Sequence, residues 1–153
     1  MSLARGLVLL STEAALLALL LPLGSTEGTE LPGWGMPVVL VLAGAIVAAA
    51  AIFRLAVPPA VSGALALAGA MVLIWLLGSF ALAGAGYWLL LVGVWLMAWA
   101  FAERLSNQLA QRRSDWAGML VPLAFGATIL VAWEAGVRGG NVPLVILPAP
   151  SVI

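Results

Sequence analysis

The chain has 153 residues, of which 65% are hydrophobic and only 8% are charged, and its formal net charge is zero. A soluble domain carries roughly a quarter charged residues, so this composition excludes a protein whose whole surface faces water. The neutral balance also argues against a nucleic-acid partner.

The apolar residues form long continuous runs rather than alternating patterns, which indicates helices. Lipid offers the backbone no hydrogen-bonding partner, so membrane-spanning segments are helices or closed barrels. A helix needs about 20 apolar residues to cross a bilayer. We therefore predict an all-α integral membrane protein with about five transmembrane helices.

The first span is predicted over residues 3–23, and a polar loop over residues 24–36 follows it. Glu13 interrupts the apolar run of this span. Two interpretations stay open. Glu13 is either an intramembrane carboxylate that titrates or binds a partner, or it has no such role: it lies near the cytoplasmic headgroups in the first turn of a shallow helix, or it makes a purely structural hydrogen bond.

The second and third spans, residues 37–53 and 60–77, are rich in small residues, and a short uncharged turn over residues 78–86 follows them. Small residues four apart let transmembrane helices pack closely, which predicts a tight hairpin between these two spans. The residues expected at this contact are Gly44, Ala48, Gly63, Ala66 and Ala70. The alternative is that alanine and glycine are simply common in membrane helices.

The fourth span is predicted over residues 87–102. Trp88, Trp95 and Trp99 fall on one helical face of it. Such a stripe is either a platform for a ligand or pigment, or an ordinary packing or lipid-facing surface. Residues 103–116 are predicted as a polar cytoplasmic loop that contains a short amphipathic helix along the membrane surface.

The fifth span is predicted over residues 117–133, and Pro122 is expected to kink it. Glu134 and Arg138 follow this span at the outgoing interface. They are four residues apart, which predicts a modest ion pair on the helix surface.

The arginines set the orientation, because five spans place the two termini on opposite sides. With the N-terminus in the cytoplasm, Arg138 lies outside and the other five arginines lie inside: Arg5, Arg54, Arg104, Arg112 and Arg113. The positive-inside rule therefore predicts a cytoplasmic N-terminus and an external C-terminus. We expect a multi-pass protein of a bacterial inner membrane, surrounded by lipids and other membrane subunits.

The sequence contains no catalytic constellation. Without histidine or cysteine, it has no Ser-His-Asp set, no thiolate nucleophile and no clustered metal ligands. Its few acidic residues are scattered along the chain. We therefore expect a protein that is not an enzyme, with no cofactor and no metal site.

The end of the chain has the most distinctive pattern: Trp-Glu, a glycine-containing linker, Val-Pro, and then Leu-Pro-x-Pro-Ser. Pro148 and Pro150 favour extended backbone immediately before them, and Ser151 is expected to be a helix N-cap. Only two residues follow Ser151. We therefore expect the 153 residues to be the front part, or a shortened relic, of something longer.

This pattern resembles the start of the permease subunits of bacterial binding-protein-dependent ABC importers of the nitrate, taurine and aliphatic sulfonate type. The resemblance covers about residues 117–153. The matching residues are Trp133, Glu134, Val142, Pro143, Leu147, Pro148, Pro150 and Ser151. In that family the first permease span runs outward and the Leu-Pro-x-Pro-Ser element is external. The segment that couples such permeases to their ATPase has no counterpart in these residues.

The resemblance divides the chain into a four-span membrane extension, residues 1–116, and a permease-like span with an external tail, residues 117–153. It implies the N-terminal membrane part of an importer permease, with an ATPase and a substrate-binding protein as partners if the chain is longer. The alternative is a small accessory subunit packed against a larger photosynthetic or respiratory complex. A third hypothesis, an independent transporter or proton carrier centred on Glu13, lacks the inverted repeats that would support it.

Overall fold

A computed structural model describes residues 3–52, 59–79, 81–111, 117–143 and 145–153. The prediction of a mainly helical protein is confirmed, because five α-helices account for most of the described residues: α1 (Leu3–Leu20), α2 (Pro37–Ile52), α3 (Pro59–Leu76), α4 (Ala85–Gln111) and α5 (Ala117–Gly139). Within the described ranges, α1 and α4 are long and apolar enough to cross a membrane. Pro37–Ala51 and Val61–Leu76 form shorter apolar helices.

The all-α prediction is wrong at two breaks between helices, where a polar loop and a short uncharged turn were expected. A three-stranded antiparallel sheet in the order β2-β1-β3 occupies them: β1 (Pro22–Thr26), β2 (Thr29–Pro32) and β3 (Leu82–Ala83). Glu27 and Gly28 connect β1 to β2 with φ values of 52° and 82°. Two successive positive φ values make a hairpin turn whose twist matches that of the strands. Strand β1 pairs on its other edge with β3, so the sheet ties the two breaks together.

Helices α1 and α4 pack antiparallel at the centre of the fold. Ser11 Oγ donates a 2.7 Å hydrogen bond to the carbonyl oxygen of Gly93, and Ser11 is 0% exposed. A Cβ at Gly93 would stand only 3.2 Å from the carbonyl oxygen of Ser11. Two turns earlier on α4, Gly86 faces the carbonyl oxygens of Ala18 and Leu21. The missing side chains at both glycines let the two backbones approach closely.

The small-residue face of α3 lies against α4 rather than against α2, where the sequence predicted it. A Cβ at Gly63 would stand 2.8 Å from the ring of Phe101, and one at Gly69 would stand 2.6 Å from a methyl group of Val94. Ala66 lies between the two glycines and is buried. A side chain at either glycine would therefore force the bulky side chains of α4 to move.

The small residues of α2 do not form the expected tight hairpin with α3. Gly44 has no atom within 4 Å of the position a Cβ would take, and Ala48 is exposed. Ala70 of α3 is partly buried. Helix α2 contributes larger side chains to one hydrophobic core shared with the other helices, whose biggest fully buried members are Leu23, Ile46, Leu73, Leu76, Tyr87, Leu90 and Met97.

Helix α4 continues through Gln111, so residues 103–111 belong to it. The predicted loop with a separate surface helix is therefore corrected over these residues. At a rise of 1.5 Å per residue, a helix of 27 residues is about 40 Å long. This length exceeds the thickness of a hydrocarbon core, about 30 Å.

Apart from Glu13, the described charged residues lie towards the two ends of the helices. Arg5, near the start of α1, is close enough to Arg104 in the last part of α4 for the two charges to interact. The pKa of Arg104 is lowered, mainly by the burial of Arg104 and secondly by the positive charge of Arg5. Glu27 and Glu30 are exposed on the sheet, at the opposite end of the antiparallel pair. Three other arginines used to predict the orientation lie outside the described residues: Arg54, Arg112 and Arg113.

Gly86→Ala is expected to destabilise the protein, because the new Cβ would stand 2.8 Å from the carbonyl oxygen of Leu21 and 3.0 Å from that of Ala18. The helices would have to move apart, and overpacking of this kind typically costs about 1–3 kcal/mol in the free energy of unfolding. Gly126→Ala on α5 is the control, since nothing lies within 4 Å of its Cβ position.

Thermal unfolding in detergent, followed by tryptophan fluorescence, measures both variants. Gly126→Ala should be neutral or stabilising, because alanine is favoured over glycine in a helix interior by about 1 kcal/mol. If Gly86→Ala melted at the parent temperature, the close contact between α1 and α4 would be contradicted.

Candidate functional site

Helix α5 ends beside the sheet with a hydrogen-bonded cap. The N–H of Val142 donates to the carbonyl of Val137 at 3.0 Å, and the N–H of Asn141 donates to that of Arg138 at 3.3 Å. Asn141 has a φ of 50°, the left-handed conformation that asparagine tolerates after a helix. This pair of bonds forms a Schellman motif, which turns the chain so that the tail comes back to α5.

The tail follows turns that its prolines direct. The carbonyl of Pro143 accepts hydrogen bonds from the N–H groups three and four residues later. Ala149 is extended, with φ −69° and ψ 145°, and a 3-10 turn follows over Pro150–Val152. The prediction that Ser151 is an N-cap is wrong, because Ala149 occupies that position and Pro150 opens the turn. Proline fits the first position of a helical turn, where no N–H is needed.

Ser151 binds Glu134 instead. Its Oγ donates to Oε1 of Glu134 at 2.7 Å, and its N–H donates to Oε2 at 3.0 Å. Arg138 Nη1 donates to Oε1 at 3.2 Å, which confirms the predicted ion pair. Glu134 is only 6% exposed, so three donors compensate the burial of its carboxylate. We call Glu134, Arg138 and Ser151 the Glu134 clasp.

The clasp favours the ionised form of its carboxylate. Burial alone raises the pKa of Glu134, but the two hydrogen bonds from Ser151 and the hydrogen bond and charge of Arg138 outweigh it. The pKa is therefore held below its ordinary value. Hydrogen bonds to charged groups contribute about 1.5–3 kcal/mol each, so the clasp fastens the tail to α5 while Glu134 is ionised.

The other residues of the permease-like pattern differ in how deeply they are buried. Trp133 precedes Glu134 on α5 and is partly buried, as is Pro150. Ala149, between the two last prolines, is buried. The remaining residues of the pattern within the described ranges are exposed or partly exposed: Val142, Pro143, Leu147 and Pro148. The structure thus joins Glu134 to Ser151 and leaves the middle of the tail at the surface.

Trp99 of α4 contacts Phe125 of α5 and Trp95 of its own helix, and Trp88 lies near the end of α5. The ring centroid of Trp99 lies 6.2 Å from that of Phe125 and 6.4 Å from that of Trp95. At the sheet end, a Cβ on Gly139 would stand 3.5 Å from the ring of Trp88. These contacts favour the interpretation of the stripe as a packing surface between α4 and α5.

An apolar groove opens between α3 and α5, and α4 forms its floor. Its volume is about 680 Å³, within the range of about 300–1,000 Å³ typical of ligand pockets. Small side chains of α3 form one wall, and Trp95 and Phe101 belong to the floor. Thr128, the only hydroxyl-bearing residue of the lining, donates its hydrogen bond to the carbonyl of Phe125 on its own helix. The described lining is therefore almost wholly apolar, and its one hydroxyl is already bonded within α5.

Glu13 lies on the outward surface of α1, where its side chain is exposed. It comes ten residues after Leu3, which corresponds to about 15 Å along the helix. This position near the middle of α1 contradicts the interpretation that places it in the first helical turn. No hydrogen bond or ion pair joins its carboxylate to another described residue.

The described residues contain no group of three histidine, cysteine, aspartate or glutamate side chains that could hold a metal ion. Neither a protein-family model nor a curated protein nor a solved structure matches the chain. The interpretation of the clasp, the groove and Glu13 therefore depends on their own geometry.

Lowering the pH is expected to release the tail. Because the pKa of Glu134 is lower in the folded protein than its ordinary value of 4.5, the clasp contributes its full stability above that value. The contribution is lost as the pH falls through the lower folded-state pKa. The chain has no cysteine, so a spin label on Val145→Cys, where the native side chain is 98% exposed, reports the mobility of the tail.

We expect an ordered spectrum at neutral pH, and a mobile one only once the pH has fallen through the folded-state pKa of Glu134, which lies below 4.5. Ser151→Ala and Glu134→Gln should each give the mobile spectrum already at neutral pH, because each removes donors or charge from the clasp. Glu30→Gln removes an exposed carboxylate of the sheet and is the matched control. A parent spectrum that did not change with acidification would show that the clasp does not hold the tail.

Proposed function

We propose that the chain is a multi-pass inner-membrane protein and the N-terminal membrane part of a binding-protein-dependent importer permease. The Glu134 clasp is the observation that supports this most directly. Glu134 and Ser151 both belong to the permease-like pattern, lie 17 residues apart, and are joined by two hydrogen bonds. Residues that match a pattern and also bind each other form one folded unit, which argues against a chance run of turn residues.

The distribution of charge supports a five-span arrangement with a cytoplasmic N-terminus. Arg5 and Arg104 share one end of the bundle, while Glu27 and Glu30 lie at the other. The positive-inside rule assigns the arginine end to the cytoplasm. Helices α1 and α4 have the length and composition of spans, and the proposal adds α2, α3 and α5.

In this arrangement the clasp lies at the external end of the fifth span and has a structural role. It neutralises Glu134 with Arg138 and fixes the tail against α5, so it sets the direction of the chain beyond the span. No chemical step is assigned to it. Energy for transport would come from a separate ATPase, and substrate would be delivered by a binding protein.

The groove favours one alternative, an accessory subunit of a larger membrane complex. Its volume of about 680 Å³ and its apolar lining suit contact with a pigment, a lipid chain or a neighbouring helix. Trp75, which is 62% exposed, and Trp95, which is 45% exposed, would extend such a contact surface. In this function the permease-like tail would be an anchor only.

Single cysteines test the proposed sidedness in a chain that has none of its own. Glu30→Cys on the sheet and Val145→Cys on the tail should react with a membrane-impermeant maleimide in intact spheroplasts. Asn107→Cys near the end of α4 should react only after permeabilisation. All three side chains are exposed in the structure. A difference in their labelling would therefore report the side of the membrane and not burial within the protein. Labelling of Asn107→Cys in intact spheroplasts, or of Glu30→Cys and Val145→Cys from opposite sides, would contradict the arrangement.

Purification from native membranes tests the function itself. The chain, tagged at its N-terminus and extracted in mild detergent, should bring with it an ATPase subunit that has a phosphate-binding glycine loop. A tagged multi-span protein of the same membrane is the control for nonspecific recovery. Recovery of pigment or haem proteins without an ATPase would reject the importer and support the accessory subunit.

A further inference from the structure

Two arginines on different helices lie close together at the end of the bundle that is opposite to the sheet. The hydrogen bond between Ser11 and Gly93 shows which levels of the antiparallel helices α1 and α4 coincide. Arg5 lies six residues from Ser11 towards this end. Arg104 lies eleven residues from Gly93 in the same direction, so it is further out by five residues, or about 7 Å. Eleven residues make about three turns, so Arg104 shares the face of α4 that contacts α1.

The directions of the two side chains bring their guanidinium groups to a common level. A helical side chain leans towards the N-terminus of its own helix. For Arg5 on α1 this direction is outwards, and for Arg104 on the antiparallel α4 it is back towards Arg5. The pKa of Arg104 agrees with this proximity, because it is lowered by burial first and by the positive charge of Arg5 second. We call Arg5 and Arg104 the arginine pair.

The described residues supply the arginine pair with little negative charge. Glu103 is adjacent to Arg104 and acts on its charge, but adjacent residues of a helix do not face the same direction. Oxygen Oε2 of Glu103 is buried and accepts no hydrogen bond from the described residues. The guanidinium of Arg5 is exposed and makes no hydrogen bond or ion pair with a described residue. An anion between the two guanidinium groups would relieve their repulsion, because opposite charges a few ångströms apart stabilise each other.

We propose that the arginine pair binds one phosphate group that has a net negative charge. A guanidinium presents two parallel N–H donors that match phosphate oxygens, and the pair can hold the group from two helices. The inference rests on the proposed function for its setting, in which this end of the bundle lies in the cytoplasm. The phosphate there belongs either to an anionic phospholipid of the inner leaflet or to a soluble anion. Once bound, it would fasten α1 to α4 at the end that lacks the sheet.

Thermal unfolding of the purified chain in a neutral detergent tests the site, because a ligand that binds only the folded state raises the melting temperature. Phosphatidylglycerol is the anionic phospholipid added. Phosphatidylcholine, whose headgroup carries a compensating positive charge, is the lipid control, and inorganic phosphate tests the soluble source. We expect phosphatidylglycerol to raise the melting temperature by about 5–10 °C at roughly a hundred times its dissociation constant. Phosphatidylcholine should leave the melting temperature unchanged.

Two variants with the same change of charge separate a site from a general attraction. Arg5→Gln removes one guanidinium of the pair. Gln111→Glu also lowers the net charge by one, at an exposed position seven residues beyond Arg104, about 10 Å along the helix. Arg5→Gln should raise the dissociation constant of phosphatidylglycerol about tenfold. Gln111→Glu should change it less than about twofold, since salt screens charges at this distance. Without lipid, Arg5→Gln should melt at or above the parent temperature, because it removes a repulsion from Arg104.

A response to phosphatidylglycerol alone, weakened by Arg5→Gln, would identify the lipid as the source of the phosphate. An equal response to inorganic phosphate, weakened by the same variant, would support the site with a soluble anion.

The site is overturned if phosphatidylglycerol acts no better than phosphatidylcholine, or if Gln111→Glu weakens binding as much as Arg5→Gln. A lower melting temperature of Arg5→Gln without lipid also overturns it, since Arg5 would then bind a group of its own chain. The importer is tested separately. An ATPase recovered with a protein that lacks the lipid response would reject only the site, whereas the response without an ATPase would reject only the importer.

Discussion

The close approach of α1 and α4 organises the described part of the molecule. The Ser11 hydroxyl binds the Gly93 carbonyl in a fully buried position, where a larger residue on either helix would separate the backbones. This contact joins the first helix to the fourth, so α2 and α3 have to lie around the pair. It also brings the chain after α1 beside the chain before α4, which is why β1 can pair with β3. Helices α3 and α5 use the remaining sides of α4, and the groove is the space between them.

The helices could be predicted from the sequence because each is an apolar run between polar breaks, and the observed bounds of α2 and α3 lie within a residue or two of those expected. The sheet could not be predicted from the sequence. Strand β1 reads Pro-Leu-Gly-Ser-Thr, which contains few strand-forming residues, and its partner β3 is two residues long and distant in sequence. The sequence also does not indicate which helices pack together, because small residues occur on every helix. Only the structure shows that Gly86 and Gly93 contact α1.

Part of the clasp could be predicted, because a spacing of four residues brings Glu134 and Arg138 together on any helix. The contact with Ser151 depends on a reversal of the chain after α5. The local signal for that reversal is Asn141, which directly follows two glycines. Such a sequence is suited to a residue in the left-handed conformation after a helix. The contact that the reversal produces is a tertiary one. The sequence of a proline-rich segment does not by itself indicate which side chain the segment will contact. The sequence shows that Glu13 interrupts an apolar run. The exposure of its side chain depends on which face of α1 packs against the other helices, and the sequence does not indicate that face.

The small sheet affects how the protein would fit bilayers of different thickness. Helix α2 has 16 residues, about 24 Å, which is shorter than a typical hydrocarbon core of about 30 Å. Beyond the helices, the N–H of Gly33 bonds the carbonyl of Leu21, and the N–H of Gly84 bonds that of Leu23. These bonds pair part of the backbone at this end, but the open edges of the sheet and the exposed carboxylates of Glu27 and Glu30 need water. If the helices span a bilayer, the charged sheet therefore limits how far lipid can cover this end, and the short α2 would be matched by thinning of the bilayer rather than by immersion of the sheet.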